Sequence, residues 1–197
     1  MGDYKTIISI IAVLLVLIGY FSYIRDIFKT KTTPHLFTWF IWSLAVSVSA
    51  ALQILGGAGV GAWTTIVTAL VCCFILFLSF KYGDKNYSKS DILFLALALI
   101  SLALWVFVKQ PVWSVVLIVA TDILGFVPTV RKSWDKPYSE TLSTYQITGL
   151  RHALSIVALE KLNILTLLYP VAWTLANILF SIMLIIRRKM IKSGDLL

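Results

Sequence analysis

Residues 36–80, from Leu36 to Phe80, contain no Asp, Glu, Lys or Arg. An α-helix needs about 20 apolar residues to cross a bilayer, so this uncharged run is too long for one helix and suits two. The stretch GGAG at residues 56–59 divides the run, because glycine ends helices and permits tight reversals. The run therefore predicts two membrane-spanning helices joined by a short turn.

Similar apolar runs fill the rest of the chain. The sequence predicts seven spanning segments, at residues 6–27, 34–55, 59–80, 90–108, 112–131, 140–159 and 163–187. The first is too long for a typical cleaved signal peptide, so we expect it to be retained. The chain is 59% hydrophobic and only 13% charged, which a soluble domain does not need. The expected fold class is an all-α membrane protein with seven transmembrane helices.

Basic residues are concentrated in alternate loops, and this bias predicts the orientation. The loops after segments 1, 3 and 5 and the tail after segment 7 contain Arg25, Lys29, Lys31, Lys81, Lys85, Lys89, Arg131, Lys132, Lys136, Arg187, Arg188, Lys189 and Lys192. The other side has Lys5, Lys109 and Lys161. Because Lys and Arg are enriched in cytoplasmic loops, we expect the N-terminus outside and the C-terminus in the cytoplasm. Topology thus accounts for the net charge of +8, and we predict no nucleic-acid partner.

Two parts of the sequence align without gaps when Gly19 is placed over Gly125. The matched positions include Tyr20 with Phe126, Arg25 with Arg131, Phe28 with Trp134, Thr38 with Thr144, Trp39 with Tyr145 and Ser49 with Ser155. A small change of register further on pairs Trp63 with Trp173. The alignment predicts two parallel three-helix repeats, residues 1–83 and 111–197, the second with a basic cytoplasmic tail. Residues 84–110 would form a linker helix between them.

The stretches FSYIRDIFKTKTTPHLFTW and FVPTVRKSWDKPYSETLSTY resemble the PQ-loop superfamily, which includes the SWEET sugar transporters and the KDEL receptors. The family's Pro-Gln dipeptide corresponds to Pro128-Thr129 in the second copy and to Ser22-Tyr23 in the first. The resemblance implies a 3+1+3 helix arrangement, a hinge at Pro128 and a place in the inner membrane of a bacterium. It also implies an asparagine in the substrate pocket, for which Asn177 is the candidate.

Two charged residues lie deep in the predicted spans. Asp122 and Arg151 are each about 15 Å from a membrane surface at about 1.5 Å per helical residue, near the middle of a core about 30 Å thick. A charge at that depth needs a partner or a water-filled cavity. We expect the two side chains to meet, either as a structural ion pair or as a binding or proton-coupling site.

Polar residues recur on one face of segment 6, at Thr144, Thr148, Arg151 and Ser155, with Tyr145 and His152 in an overlapping row. Helical spacing places these rows on one side, which favours a hydrated face. Trp39, Trp42 and Trp105 are nearer segment ends, where tryptophan is usually an interfacial anchor. The predicted site comprises Asp122, Arg151, His152, Asn177, Trp173, Thr148, Tyr145 and Trp63.

No pattern typical of an enzyme is found. The two histidines, His35 and His152, are far apart in sequence, and Cys72 and Cys73 are adjacent, so we predict no metal site, cofactor or catalysis. The main hypothesis is a transporter that moves a small polar, or anionic, solute across the lipid bilayer by alternating access. Proton coupling through Asp122, Arg151 or His152 and assembly into a homo-oligomer stay open. The alternatives are a receptor that uses the same cleft without transport, and an accessory subunit with a dry centre.

The predicted orientation can be tested by cysteine labelling. In a background with Cys72 and Cys73 replaced by alanine, Lys161→Cys should react with a membrane-impermeant maleimide on intact cells. Lys189→Cys should react only after the membrane is permeabilised. The opposite pattern would reverse the orientation, and equal labelling of both before permeabilisation would contradict an odd number of spans.

Overall fold

The computed structural model describes residues 3–30, 33–83, 89–135, 137–138 and 140–194. These ranges are helical and contain no β-strand, which confirms the all-α prediction. The helices are α1 (Asp3–Phe28), α2 (Leu36–Leu55), α3 (Trp63–Tyr82), α4 (Lys89–Val106), α5 (Pro111–Asp135), α6 (Leu142–Ala158) and α7 (Ile164–Gly194), with a 3₁₀ turn at Gly59–Ala62 before α3. Helices α5 and α7 extend beyond the predicted segments at their carboxyl ends.

Among the residues that the structure describes, four stretches are long and apolar enough to cross a membrane: Tyr4–Phe28, Leu36–Leu55, Gly59–Tyr82 and Ile164–Ile191. Helices α4 and α5 contain shorter apolar stretches. Helix α6 has only 17 residues, and its apolar character is interrupted by Arg151 and His152. Length and composition therefore support a membrane protein with several spanning helices, and the count of seven spans stays a prediction.

The structure exposes apolar side chains and buries polar ones to an extent that is unusual for a soluble protein. Large apolar side chains are exposed on all seven helices; Phe21, Phe77 and Leu179 are each more than 60% exposed. The interior contains apolar side chains together with many polar ones, among them Gln53, Asp122 and other Ser, Thr, Arg, His and Asn residues. An exposed apolar surface of this extent is stable in contact with lipid, and the buried polar groups mark the centre.

Six helices pack in a ring, and the seventh lies outside it. Helix α3 lies between α1 and α2, and α7 lies between α5 and α6. Contacts of α1 with α6 and of α2 with α5 close the ring. Helix α4 packs on α5 and α2, where Ser101 Oγ donates to the Ser114 carbonyl at 2.8 Å and Ser114 Oγ donates to the Ser101 carbonyl at 2.6 Å. The ring therefore encloses a centre that all helices except α4 can line.

The start of α1, the α2–α3 turn and the α6–α7 turn meet at one end of the ring, which we call the amino-terminal end. Asn163 caps α7 by accepting from Leu165 N and Thr166 N at 3.0 and 3.3 Å, a role that asparagine favours. Its Nδ2 donates to the Gly56 carbonyl at 2.8 Å. Three further bonds join the same segments: Glu160 N to Ala58 O at 3.0 Å, Ser9 Oγ to Val60 O at 2.7 Å and Lys5 Nζ to Leu159 O at 2.5 Å.

Glycines allow these two turns to approach closely. Gly57 and Gly59 have φ angles of 77° and 58°, a region that side chains disfavour. A Cβ on Gly61 would lie 2.7 Å from the Leu159 Cα. The GGAG motif predicted as a reversal is thus also a surface on which the α6–α7 turn packs, and the amino-terminal end is closed.

At the opposite end, which we call the basic end, arginines near the end of α7 bind the α5–α6 connection. Arg187 Nε donates to the Trp134 carbonyl at 2.8 Å. Arg188 donates from Nε to Pro137 O at 3.0 Å and from Nη2 to Glu140 O at 2.7 Å. Other basic-loop residues, Lys31, Lys85 and Lys136, lie outside the described residues. The described cations of the last helix therefore stabilise the end opposite the start of α1.

We predict that Gly61→Ala destabilises the protein and that Gly125→Ala does not. Overpacking costs about 1–3 kcal/mol, which lowers the melting temperature by roughly 2–4 °C per kcal/mol at this size. Gly125 is the matched control, since nothing lies within 4 Å of its Cβ position and alanine favours a helix by up to about 1 kcal/mol. Thermal unfolding in detergent measures both. Equal melting temperatures for the two variants would show that the turns do not pack as described.

Candidate functional site

A cavity of about 230 Å³ lies at the centre of the ring and is lined by α1–α3 and α5–α7. Its lining reaches the first turns of α6, at Thr144 and Tyr145, and the basic half of α5, at Thr129. The cavity therefore extends toward the basic end, whereas interlocked turns close the amino-terminal end. Seven of the eight predicted site residues line it: Asp122, Tyr145, Thr148, Arg151, His152, Trp173 and Asn177.

Arg151 crosses the centre of the ring from α6 to α3. Its Nη1 donates to Thr68 Oγ1 at 2.7 Å, and its guanidinium carbon lies 5.6 Å from the centroid of the Tyr20 ring. Thr68 Oγ1 in turn donates to the Thr64 carbonyl at 2.7 Å. A buried guanidinium needs acceptors and aromatic faces to replace water, and here the other half of the ring supplies both.

Asp122 has one bonded and one unpartnered oxygen. Its Oδ2 accepts from Trp173 Nε1 at 3.0 Å. Its Oδ1 is buried and has no hydrogen-bond partner among the described residues. When the carboxylate is ionised it accepts only, so Oδ1 is then available to a donor that enters the cavity.

Asp122 and Arg151 do not pair with each other, contrary to the expectation from their equal depth. In the part of the chain that the structure describes, the one salt bridge joins Arg25 and Asp26 at 3.0 Å. The two deep charges line the same cavity but bind neutral groups on other helices. Depth in the membrane correctly predicted that both residues lie near the centre. It could not predict the direction in which each side chain points from its helix.

Trp173 connects several site residues. The His152 ring stacks on it, with centroids 6.4 Å apart and an interplanar angle of 19°. The centroid of the indole also lies 5.7 Å from that of the Phe126 ring. The backbone carbonyl of Trp173 accepts from Asn177 Nδ2 at 2.7 Å. His152 Nδ1 has no partner among the described residues. The indole contacts the aspartate and the histidine, and the backbone carbonyl binds the asparagine, so one tryptophan residue orients all three.

Ten lining residues were not among the predicted site residues: Tyr20, Trp42, Val46, Thr68, Cys72, Gly125, Phe126, Thr129, Thr144 and Tyr169. The proximity of Trp42 to a segment end had suggested an interfacial anchor, yet it faces the cavity and lies 5.2 Å from the Trp39 ring. Thr68 and Cys72 are four residues apart on α3, and that spacing was the signal that could have found them.

The eighth predicted site residue lies elsewhere. Trp63 begins α3 at the amino-terminal end, is 39% exposed and does not line the cavity. Trp63 precedes Thr68, a residue of α3 that does line the cavity, by more than one helical turn. Pro128 lies within α5, and its side chain is outside the described part of the structure, so its role as a hinge stays a prediction.

A second cavity, of about 330 Å³, lies between α1 and α6. It shares Tyr20, Thr144, Thr148 and Arg151 with the central cavity. Gly19 also lines it, and a Cβ there would meet nothing within 4 Å. Arg151 therefore lines both cavities.

Comparison of the chain with protein-family models, with curated proteins and with solved structures gives no match. The resemblance to the PQ-loop superfamily therefore stays a prediction that rests on the residues quoted above.

We predict that Thr68→Val destabilises the protein more than Thr121→Val. Both hydroxyls are buried and donate to the carbonyl four residues earlier, but only Thr68 also accepts from Arg151. A hydrogen bond to a charged group contributes about 1.5–3 kcal/mol, so the Thr68 variant should melt several degrees lower in detergent. Equal melting temperatures for the two variants would mean that the hydrogen bond from Arg151 to Thr68 does not stabilise the protein.

Proposed function

We propose that the protein is a small membrane transporter of the PQ-loop type that moves a small polar solute by alternating access. The observation that supports this most is the central cavity, which contains buried charged and polar groups, is closed at one end and extends toward the other. A dry, tightly packed centre would have favoured an accessory subunit instead.

Helix packing supports the proposed duplication. If α1–α3 correspond to α5–α7, the α1–α6 contact corresponds to α5–α2, and both pairs pack. The third helix lies between the other two in each triplet. The same correspondence relates the less extensive packing of α2 against α7 to that of α6 against α3. Such agreement favours a parallel repeat about an axis along the membrane normal, with α4 as the linker.

Side chains support the same correspondence. Tyr20 and Trp39 have ring centroids 6.3 Å apart, and the aligned Phe126 and Tyr145 are 5.9 Å apart. The aligned glycines, at positions 19 and 125, both line cavities. The two glycines leave open space at matching places, which suits a site at the interface of two repeats.

The cavity also indicates a different register for the third helix of each repeat. Thr68 and Cys72 on α3 line the cavity four residues apart, as Tyr169, Trp173 and Asn177 do on α7. This pattern favours pairing Thr68 with Tyr169 or with Trp173, in place of the alignment of Trp63 with Trp173.

In the proposed mechanism the closed amino-terminal end faces outside and the cavity faces the cytoplasm. Rocking of α1–α3 against α5–α7 would separate the interlocked turns and close the basic end. Arg151 would suit an anionic group on the solute. Asp122 and His152 are the groups through which proton coupling would occur.

A receptor that never opens its amino-terminal end is the second candidate, and the closed turns in this structure favour it as well. Both candidates place the ligand in the same cavity. They differ in whether that cavity ever becomes reachable from the other side of the membrane.

Accessibility of Thr148→Cys separates the two candidates. In a background with Cys72 and Cys73 replaced by alanine, an impermeant methanethiosulfonate reagent should label Thr148→Cys from the cytoplasmic side and, more slowly, from outside. Adding Ala58→Cys and Glu160→Cys and oxidising them should abolish labelling from outside only, because the 3.0 Å backbone bond between these residues brings them within disulfide range.

Labelling is read at position 148 by mass spectrometry, because a lone cysteine at position 58 or 160 can react with the same reagent. The single variants Ala58→Cys and Glu160→Cys are the controls and should leave labelling of position 148 from both sides unchanged. Labelling from the cytoplasmic side alone would refute transport and favour the receptor. Labelling from neither side would show that the centre is not hydrated and refute both.

A further inference from the structure

We infer that the ligand of the central cavity is a small zwitterion, an α-amino acid with an uncharged side chain, whose ammonium binds Asp122 and whose carboxylate binds Arg151. The inference rests on the proposed function only in placing the solute in this cavity. It concerns what the cavity recognises, and it holds for a receptor as well as for a transporter.

The first argument is that two opposite charges share one cavity without pairing. Asp122 is 4% exposed and Arg151 is 5% exposed. Opposite charges attract strongly away from water, so nearby side chains that are free to move would pair. Here the Trp173 indole holds the carboxylate and the Thr68 hydroxyl holds the guanidinium. The scaffold keeps both charges apart and facing the same space.

The second argument is the energetic cost of that arrangement. Buried charges without counter-charges destabilise a protein. One neutral hydrogen bond at Asp122, and one neutral hydrogen bond with one aromatic face at Arg151, hold these groups without neutralising them. A ligand with both charges would compensate both residues at once. A monocarboxylate would leave Asp122 uncompensated, a simple amine would leave Arg151 uncompensated, and a polyol would leave both.

The third argument comes from the atoms that face the ligand. The buried Asp122 Oδ1 has no partner among the described residues, and an ammonium is the donor that best suits a carboxylate oxygen. A guanidinium has five N–H donors in a planar fork that matches a carboxylate, and the bond to Thr68 uses Nη1. Each charge can therefore accept one end of the zwitterion without losing its present contact.

The fourth argument comes from the size and walls of the cavity. A volume of about 230 Å³ holds roughly eight water molecules at about 30 Å³ each, which limits the ligand to a small molecule. Aromatic rings of Trp42, Phe126 and Tyr169 form much of the wall. Among the described residues, His152 is the one acidic or basic side chain that lines the cavity besides Asp122 and Arg151. An apolar or neutral side chain on the amino acid fits these walls.

The test compares matched solutes by thermal shift of the purified full-length protein. The probes are L-alanine, L-leucine and L-phenylalanine, the amide of each, which lacks the carboxylate, and the deaminated acid of each, which lacks the ammonium. D-glucose represents uncharged polyols. At least one amino acid should raise the melting temperature by mass action, and its amide and acid should bind at least tenfold more weakly.

Two substitutions assign the charges. Asp122→Asn should abolish the preference for the amino acid over its deaminated acid, and Arg151→Gln should abolish the preference over its amide. Asp26→Asn and Arg25→Gln make the same chemical changes at the exposed pair and should leave both preferences intact. Each comparison is a ratio within one protein, and the series on the unsubstituted protein decides the matter if a variant fails to fold.

Stabilisation by glucose but by none of the amino acids would overturn the zwitterion and leave the transport proposal standing. Equal binding of the amino acid, its amide and its acid would also overturn it, as would binding of no probe. Conversely, amino-acid binding together with labelling of Thr148→Cys from one side only would refute transport while this inference holds.

Discussion

The hydrogen bond from Arg151 to Thr68 is the contact on which the centre of the structure depends. It joins α6 to α3 across the ring, at a length of 2.7 Å between buried atoms. Without an acceptor in the other half of the ring, a guanidinium at this depth would have to be hydrated or lose its place in the interior. The bond therefore explains how a strong base stays inside an apolar protein and why the centre keeps open space around it.

The two ends of the ring complement this contact. At the amino-terminal end, backbone and side-chain hydrogen bonds join glycine-rich and asparagine-capped turns, and a Cβ at Gly61 would clash with Leu159. At the basic end, arginines of α7 bind carbonyls of the α5–α6 connection. Polar contacts thus concentrate at the two ends and the centre, whereas the outer faces are apolar. In the proposed transport mechanism, one end of the ring would open while the other stays closed.

The sequence predicted the helices well because apolar runs and glycine breaks are local signals, and most of the predicted site residues line one cavity. It failed where the answer depends on rotation about a helix axis. Equal depth suggested that Asp122 and Arg151 would meet, yet their partners are Trp173 and Thr68. Trp63 was expected in the cavity, but it lies at the start of α3 and does not line the cavity. Neither rotation nor register across a turn can be read from residue spacing within one helix.

Double-mutant cycles on Arg151 test the central claim most directly. Arg151→Gln would be combined with Thr68→Val in one cycle and with Asp122→Asn in another, and the free energy of unfolding measured in detergent. Contacting residues couple by about 0.5–3 kcal/mol, so the account predicts a larger coupling energy with Thr68 than with Asp122. A larger coupling energy with Asp122 would show that the two deep charges pair after all and would contradict the account.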